Sequence, residues 1–254
     1  MVVFGIVLII FYLLFQMNVD LKIIILKLIK SKTDNCYYAG RKKSLSDEYV
    51  LDLVFKVLRT GMQWKELTVV NGSYKTVYNR YRIWVKYAIF EEAFNLSLDS
   101  YINKLGIANI KYYTTDTTFV KSIGGNDCIG KNPTDRGRNA TKISIITDNY
   151  GVPWSISFHE GNKNDCKILK HTIDNLNVCL HKTLKLFADK GYDSKECRKQ
   201  LEEINVVPVI AKRKTVSPLI NEKSRSIVEN SFSWLKQYRR LRNRYEIKYK
   251  YFKS

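Results

Sequence analysis

Apolar residues between positions 46 and 105 recur at three- and four-residue intervals, a spacing that predicts helices. Ser46 or Asp47 is placed to cap the first helix, and Gly61 is placed to end it. Ser73 is placed to cap a second helix. The apolar stripe of the first helix consists of Leu51, Val54, Phe55 and Leu58.

The pattern changes after Ile110, where short apolar runs alternate with helical segments. The predicted strands are Lys111–Val120, Thr141–Thr147, Val152–His159, Thr183–Ala188 and Val206–Ala211. The predicted helices are Asp165–Leu176, Ser194–Ile204 and a long basic helix from about Glu222 to Tyr249. Residues 148–151 have the composition of a hairpin turn, and residues 122–140 that of a polar loop. Strands followed by alternating helices and strands predict a mixed α/β sheet.

The charge of the chain points to a polyanionic partner. Forty-three Lys and Arg residues against 24 Asp and Glu give a net charge of +19 over 254 residues. Nucleic acid, a polyphosphate or an anionic membrane would each suit that charge. Five cysteines without Cys-x-x-Cys spacing and only three histidines argue against a disulfide framework, a zinc knuckle and a His-rich metal site. We therefore expect a protein that is not secreted and that works in the cytoplasm.

The first 15 residues carry no charge and, except for Gly5, are plainly apolar. This run is shorter than the roughly 20 residues that span a bilayer. It also lacks the flanking features of a signal peptide. Two interpretations stay open: an N-terminal extension outside the working domains, or a membrane anchor formed by residues 1–15.

Four basic residues lie on the second predicted helix of the N-terminal half. Two helices joined through a glycine turn resemble a helix-turn-helix, in which the second helix contacts DNA. An ordinary helical bundle with solvated basic side chains explains the same pattern. The candidate DNA-binding residues here are Lys75, Arg80, Arg82 and Lys86.

Three acidic residues stand where the predicted layout brings strand ends and a helix together: Asp116, Asp189 and Glu229. Neighbouring strands can hold two carboxylates side by side, and a helix packed across them can offer the third. Clustered carboxylates repel one another and favour hard cations, Mg²⁺ or Mn²⁺. Two such ions about 4 Å apart would stabilise the attacking and leaving oxygens of phosphoryl transfer.

Each of these acids also has an ordinary structural explanation. A lone Asp near a strand end is most often a turn or cap residue, as we expect for Asp148 and for Asp193 before the following helix. Glu229 lies four residues after Arg225, so an intrahelical ion pair accounts for it equally well.

The segment from Ile110 to Tyr245 resembles the DDE transposases of insertion sequences, in the branch with a Tyr-x2-Arg-x3-Glu-x6-Lys signature. Arg225, Glu229 and Lys236 match that spacing, while Glu222 stands in place of the tyrosine. The order and spacing of further segments strengthen the resemblance, which covers roughly residues 40–250. These segments are Arg59-Thr60-Gly61-x2-Trp64-x2-Leu67, Tyr78-x-Arg80-x3-Trp84, Gly137-Arg138, Thr141-Lys142, Asp148, Gly151, Pro153, Trp234-Leu235 and Arg239-Arg240-Leu241.

The resemblance implies an RNase H-like catalytic domain that uses Asp116, Asp189 and Glu229 as ligands of two Mg²⁺ or Mn²⁺ ions. It also implies DNA transposition: hydrolysis at the element's end releases a 3′-hydroxyl, which then attacks target DNA. The implied partner is double-stranded DNA, with a homodimer pairing two ends during the reaction. The signature lysine, here Lys236, would grip DNA. The nine basic residues between Lys223 and Lys250, Arg225, Arg239 and Arg240 among them, suit a phosphate track.

We therefore expect an extension at residues 1–40, a helical DNA-binding region at 41–108 and the catalytic domain at 110–254. The family usually continues with a further apolar helix, whereas this sequence ends at Ser254. A decayed, non-catalytic DNA-binding descendant is therefore an alternative. A membrane-anchored protein is the other.

Overall fold

The computed structural model describes residues 18–33, 44–176, 184–212 and 222–253. Its helices are α1 (Asn18–Thr33), α2 (Asp47–Thr60), α3 (Tyr74–Lys86), α4 (Ile89–Leu105), α5 (Asp165–Asp174), α6 (Lys195–Glu203), α7 (Glu222–Gln237), α8 (Arg239–Arg242) and α9 (Tyr249–Lys253). Its strands are β1 (Tyr112–Ser122), β2 (Gly130–Lys131), β3 (Asn139–Asp148), β4 (Pro153–Glu160), β5 (Lys185–Ala188), β6 (Val207–Ile210) and β7 (Asn243–Arg244). Across these ranges, none of the helices combines the length and the apolarity needed to cross a membrane. The apolar run of residues 1–15 lies outside them.

One mixed sheet forms the centre of the second half, with β1 in the middle. The strands β4, β3, β1, β5 and β6 lie side by side in that order. β3 runs antiparallel to both β1 and β4, whereas β5 runs parallel to β1 and β6 parallel to β5. The two-residue strands β2 and β7 add to the edges of β3 and β1. The expected mixed α/β fold class is confirmed.

The helical region begins and ends its helices where the sequence places the caps. The Ser46 side chain accepts from the backbone N–H of Tyr49, and Gly61 ends α2 in the left-handed region at φ 71°. Ser73 caps α3. The connection between α2 and α3 spans residues 61–73 and contains a 3₁₀ turn, far longer than the three or four residues of a helix-turn-helix. The helical region is thus confirmed, while the expected helix-turn-helix-like connection is not what the structure shows.

The helical region and the sheet share one hydrophobic core. Trp84 of α3 and Trp154 of β4 are both fully buried within it. α1 packs against α4 and buries Ile25 and Ile29 in the same core. The described part of the expected 1–40 extension is therefore held by the helical region.

The predicted long basic helix is shorter than expected. α7 ends at Gln237, and the chain then passes through the single turn of α8, the short strand β7 and α9. Tyr238 takes extended backbone angles at this break. The chain after Gln237 consequently leaves the axis of α7, and α8 packs on α2 and β1.

Candidate active site

Two of the three predicted acids lie close together where β5 ends beside the middle of β1. Asp116 is in the middle of β1, and the parallel register with β5 pairs Thr115 with Ala188. Asp189 directly follows the last pair of that ladder and therefore lies beside Asp116, whose pKa its charge raises. Asp189 starts a 3₁₀ turn, Lys190–Tyr192, that its side chain does not cap.

The surroundings of Asp116 disfavour the ionised form of its carboxyl group. The pKa of Asp116 is raised to about 6, mainly by burial, with the charges of Asp189 and Asp165 adding to the rise and the charge of Arg225 opposing it. The backbone N–H of Thr117 donates to Asp116 Oδ1 at 2.7 Å and opposes the shift. Several negative charges therefore lie near Asp116, and its hydrogen-bond donors offset their effect on its pKa only in part.

Glu229 lies on α7, which packs against β1, and its side chain is exposed. Arg225 Nε donates to Glu229 Oε1 at 2.9 Å. Glu229 makes the largest contribution to the raised pKa of Arg225, and the charges of Asp189 and Asp116 raise that pKa further. The intrahelical ion pair that sequence spacing allowed is thus formed, and its arginine also faces the other two acids.

Lys236 lies two turns further along α7 and is half-buried. Burial lowers its pKa, the charge of Arg242 lowers it further, and the charge of Asp116 raises it. The ammonium group is therefore within electrostatic range of the acids on the sheet.

The donor set fits a hard divalent cation only in part. Asp116 and Asp189 offer carboxylate oxygens whose mutual repulsion a cation would relieve. Glu229 is held by Arg225, and within the described ranges no three His, Cys, Asp or Glu side chains lie close enough to hold one ion. As arranged, the site is a carboxylate pair with the third acid beside it.

The basic residues predicted on α3 separate into two groups. Lys75, Arg82 and Lys86 are exposed. Arg80, by contrast, is 5% exposed and pairs with Asp47 at 3.2 Å. We correct the expectation for Arg80: its guanidinium serves the packing of α3 on α2 and does not face solvent.

The same correction applies to one of the two adjacent arginines of α8. Arg239 is exposed, whereas Arg240 is 5% exposed. Arg240 donates to Glu246 Oε1 and to the Met62 carbonyl oxygen, both at 2.6 Å. Arg240 therefore ties the C-terminal segment to the connection after α2 and is not available to a phosphate.

Sequence reasoning missed the polar group beneath the strand end. Asp165, in the first turn of α5, accepts from Thr117 Oγ1 at 3.0 Å and pairs with Lys142 Nζ at 3.1 Å. An acid in the first turn of a helix is common because it suits the helix dipole, so nothing in the spacing singled Asp165 out. Only the tertiary fold shows that its charge reaches Asp116.

Two family models and a curated relative match this chain. The family model described as "Transposase DDE domain" matches residues 113–248, and one described as a putative transposase of the IS4/5 family matches residues 24–94. A putative transposase for insertion sequence element IS402 from Burkholderia cepacia is 37% identical over 129 residues, which is 48% of this chain and 61% of that relative. The chain thus matches less than two thirds of the length of that curated relative.

Two solved structures show a partial likeness. The piggyBac transposase synaptic complex with hairpin DNA has a TM-score of 0.41 and 15% identity, covering 84% of this chain and 52% of that one. The catalytic domain of Mos1 mariner transposase has a TM-score of 0.31 and 14% identity, covering 56% and 75%.

Proposed function

The chain belongs to the family of transposases with a DDE domain, whose model matches residues 113–248, and on that premise we propose that it cuts and joins DNA. The reaction is metal-dependent cleavage at the ends of an insertion-sequence-type element, followed by strand transfer into target DNA. The observation that carries the proposal is the pair of carboxylates on β1 and after β5, with an acid, an arginine and a lysine of α7 around it.

The proposed catalytic residues are Asp116, Asp189 and Glu229, which would hold two Mg²⁺ or Mn²⁺ ions. These ions, when bound, supply Lewis-acid stabilisation of the attacking and leaving oxygens of phosphoryl transfer. Asp116 lies on β1 and Asp189 directly follows the paired strand β5, so the proposal assumes no backbone movement to bring these two carboxylates together. Glu229 is held by Arg225 on an exposed helix face, so its carboxylate joins the pair by a side-chain movement.

The proposed role of the basic side chains is to hold the DNA backbone. Arg225 and Lys236 flank the carboxylate pair, and Arg239 lies exposed just beyond α7. Lys75, Arg82 and Lys86 share one exposed face of α3, where Arg82 Nε also donates to Tyr251 Oη at 3.0 Å. Phosphate contacts from such side chains give affinity that falls with salt.

The proposed division of labour follows the expected domains: the helical region binds DNA and residues 110–254 carry the chemistry. Pairing two element ends requires two copies of the site, so a homodimer on DNA is part of the proposal. Light scattering of the protein with and without end DNA measures the stoichiometry.

The decisive experiment is a nicking and strand-transfer assay on labelled DNA from the element's own flanks, with Mg²⁺ or Mn²⁺. Wild type is compared with Asp116→Ala, Asp189→Ala and Glu229→Ala. Glu202→Ala is the matched control, because Glu202 is an exposed acid on α6 outside the site. We expect metal-dependent nicking in wild type and in the control, and a loss of at least a thousandfold in the three site variants.

Two results would change the proposal. Binding of end DNA without nicking by wild type would move the protein to the decayed, DNA-binding class. Nicking that survives in Asp116→Ala would show that the carboxylate pair is not the catalytic centre.

A further inference from the structure

The turn that carries Asp189 lies beyond the end of the sheet. The ladder between β1 and β5 stops at the pair Thr115 and Ala188, and the chain then enters the turn Lys190–Tyr192. Asp189 therefore has only the strand before it and the turn after it to fix its position. A catalytic carboxylate must be held within about 0.5 Å of its working geometry, so the turn needs a further support.

The first turn of α5 lies against that turn. Cys166 Sγ contacts the Gly191 carbonyl oxygen at 3.4 Å. A Cβ on Gly191 would come within 3.0 Å of Asp165 Oδ2, which shows how closely the carboxylate approaches the backbone there. A side chain at position 191 would have to displace Asp165 or the turn.

The same carboxylate also holds the strand of Asp116. Thr117 Oγ1 donates to Asp165 Oδ1 at 3.0 Å, and the backbone N–H of Thr117 donates to Asp116 Oδ1. Successive residues of a strand point to opposite faces, so Asp165 reaches Asp116 from the face beneath it. Asp165 thus accepts a hydrogen bond from the strand of one predicted metal ligand and lies against the turn that follows the other.

Lys142 holds the Asp165 carboxylate in place. Its ammonium group is buried on β3, with only 7% of the side chain exposed, and it donates to Asp165 Oδ1 and to the Lys163 carbonyl oxygen. The carboxylate of Asp165 is therefore paired directly with a buried cation.

We propose that Asp165 is a positioning residue of the transposase site, setting the distance between Asp116 and Asp189 through Thr117 and the Gly191 turn. The catalytic part of this inference rests on the proposed function, whereas the mechanical link between the strand and the turn does not. Asp165 acts mainly through the oxygen atoms that accept hydrogen bonds and less through its charge. Asparagine at this position keeps an acceptor for Thr117, and alanine does not.

The test combines single-turnover nicking with hydrogen exchange of the peptide covering residues 186–192. The variants are Asp165→Ala, Asp165→Asn, Thr117→Val and Gly191→Ala. The control is Ser97→Ala, which removes a buried hydroxyl that bonds to the Ala93 carbonyl oxygen within α4, in the helical region. Thr117→Val and Gly191→Ala keep the charged side chains of both Asp165 and Lys142, so they keep the test valid if removal of the Asp165 charge unfolds the protein.

We expect Asp165→Ala to nick about tenfold more slowly or worse, since misplacement by about 1 Å costs up to about a hundredfold. Its DNA affinity should stay within twofold of wild type. Asp165→Asn should recover part of that rate, Thr117→Val and Gly191→Ala should each slow nicking at least threefold, and all but the control should exchange faster at residues 186–192.

Wild-type exchange and wild-type nicking in Thr117→Val and Gly191→Ala would overturn the proposal. Equal rates for Asp165→Ala and Asp165→Asn would overturn the role of the acceptor. If wild type does not nick DNA, the proposed function has failed, and the exchange measurement alone still decides whether Asp165 holds the turn.

Discussion

Asp148 ends β3 at the hairpin and is fully buried, and its side chain accepts four hydrogen bonds. Oδ1 accepts from the backbone N–H groups of Tyr150 and Val152, at 2.8 and 3.1 Å. Oδ2 accepts from Tyr101 Oη of α4 at 2.7 Å and from Trp154 Nε1 at 3.1 Å. Asp148 therefore closes the turn and also bonds the last helix of the helical region to the sheet.

Asp148→Asn is the informative change, because it preserves shape and replaces one acceptor oxygen by an amino group. The turn keeps Oδ1, so the new amino group meets the donors of Tyr101 and Trp154. The tyrosine hydroxyl can rotate to accept, but the indole N–H cannot and is left without an acceptor. An unsatisfied buried donor costs about 1–3 kcal/mol and a lost bond to a charged group about 1.5–3 kcal/mol. We expect a total loss of about 3–5 kcal/mol.

Urea denaturation followed by tryptophan fluorescence measures that loss, with Tyr101→Phe as the companion variant. Tyr101→Phe removes one donor and leaves the other three, so it should cost only about 1–2 kcal/mol. Burial raises the pKa of Asp148 while its four donors lower it, and the expected loss requires the ionised form. A cost below about 1 kcal/mol for Asp148→Asn at pH 7 would refute the reasoning, since it would mean that the carboxyl group is neutral.

Two further predictions concern side chains whose charge is affected by burial. Arg240→Ala should lower the free energy of unfolding by about 3–5 kcal/mol because it leaves the buried Glu246 without its cation. Arg239→Ala should change the free energy of unfolding by less than about 0.5 kcal/mol, but it should weaken DNA binding and make that binding less dependent on salt. Denaturation and binding titrations at several salt concentrations separate the two variants. Burial lowers the pKa of His159 from 6.5 to about 4, so the unfolded chain binds the extra proton between those values and stability falls as pH drops through that window. The loss should approach about 3 kcal/mol by pH 4, and denaturation of His159→Gln against pH should show a flatter profile; an unchanged profile would contradict the assignment.

Periodicity and turn composition predicted most of the elements, because strand alternation, caps and glycine turns are local properties of the chain. All five predicted strands and the two shorter helices after the hairpin are present with shifted ends. The prediction of one long basic helix from Glu222 to Tyr249 was wrong. A run of charged residues gives no signal for the break at Tyr238, which depends on tertiary packing.

The sequence alone could have predicted that Arg80 does not lie on the exposed basic face of α3. At 100° per residue, Arg80 lies about 140° around α3 from Lys75, whereas Arg82 and Lys86 lie within about 20° of it. The burial of Arg80 opposite an exposed basic stripe is what this geometry requires. Arg240 differs, because its partners Glu246 and Met62 come from two separate segments that only the fold brings together.

The three predicted catalytic acids differ in how firmly the structure holds them. Asp116 lies on a strand paired on both sides, so its backbone cannot move without breaking the sheet. Asp189 lies one residue beyond such a strand and depends on the turn that follows. Glu229 is exposed on a helix and is held by a single ion pair, which is worth only a few tenths of a kcal/mol on a solvated helix face. Because that ion pair is so weak, a phosphate that takes Arg225 releases Glu229 at little cost, and DNA binding itself can then complete the proposed site.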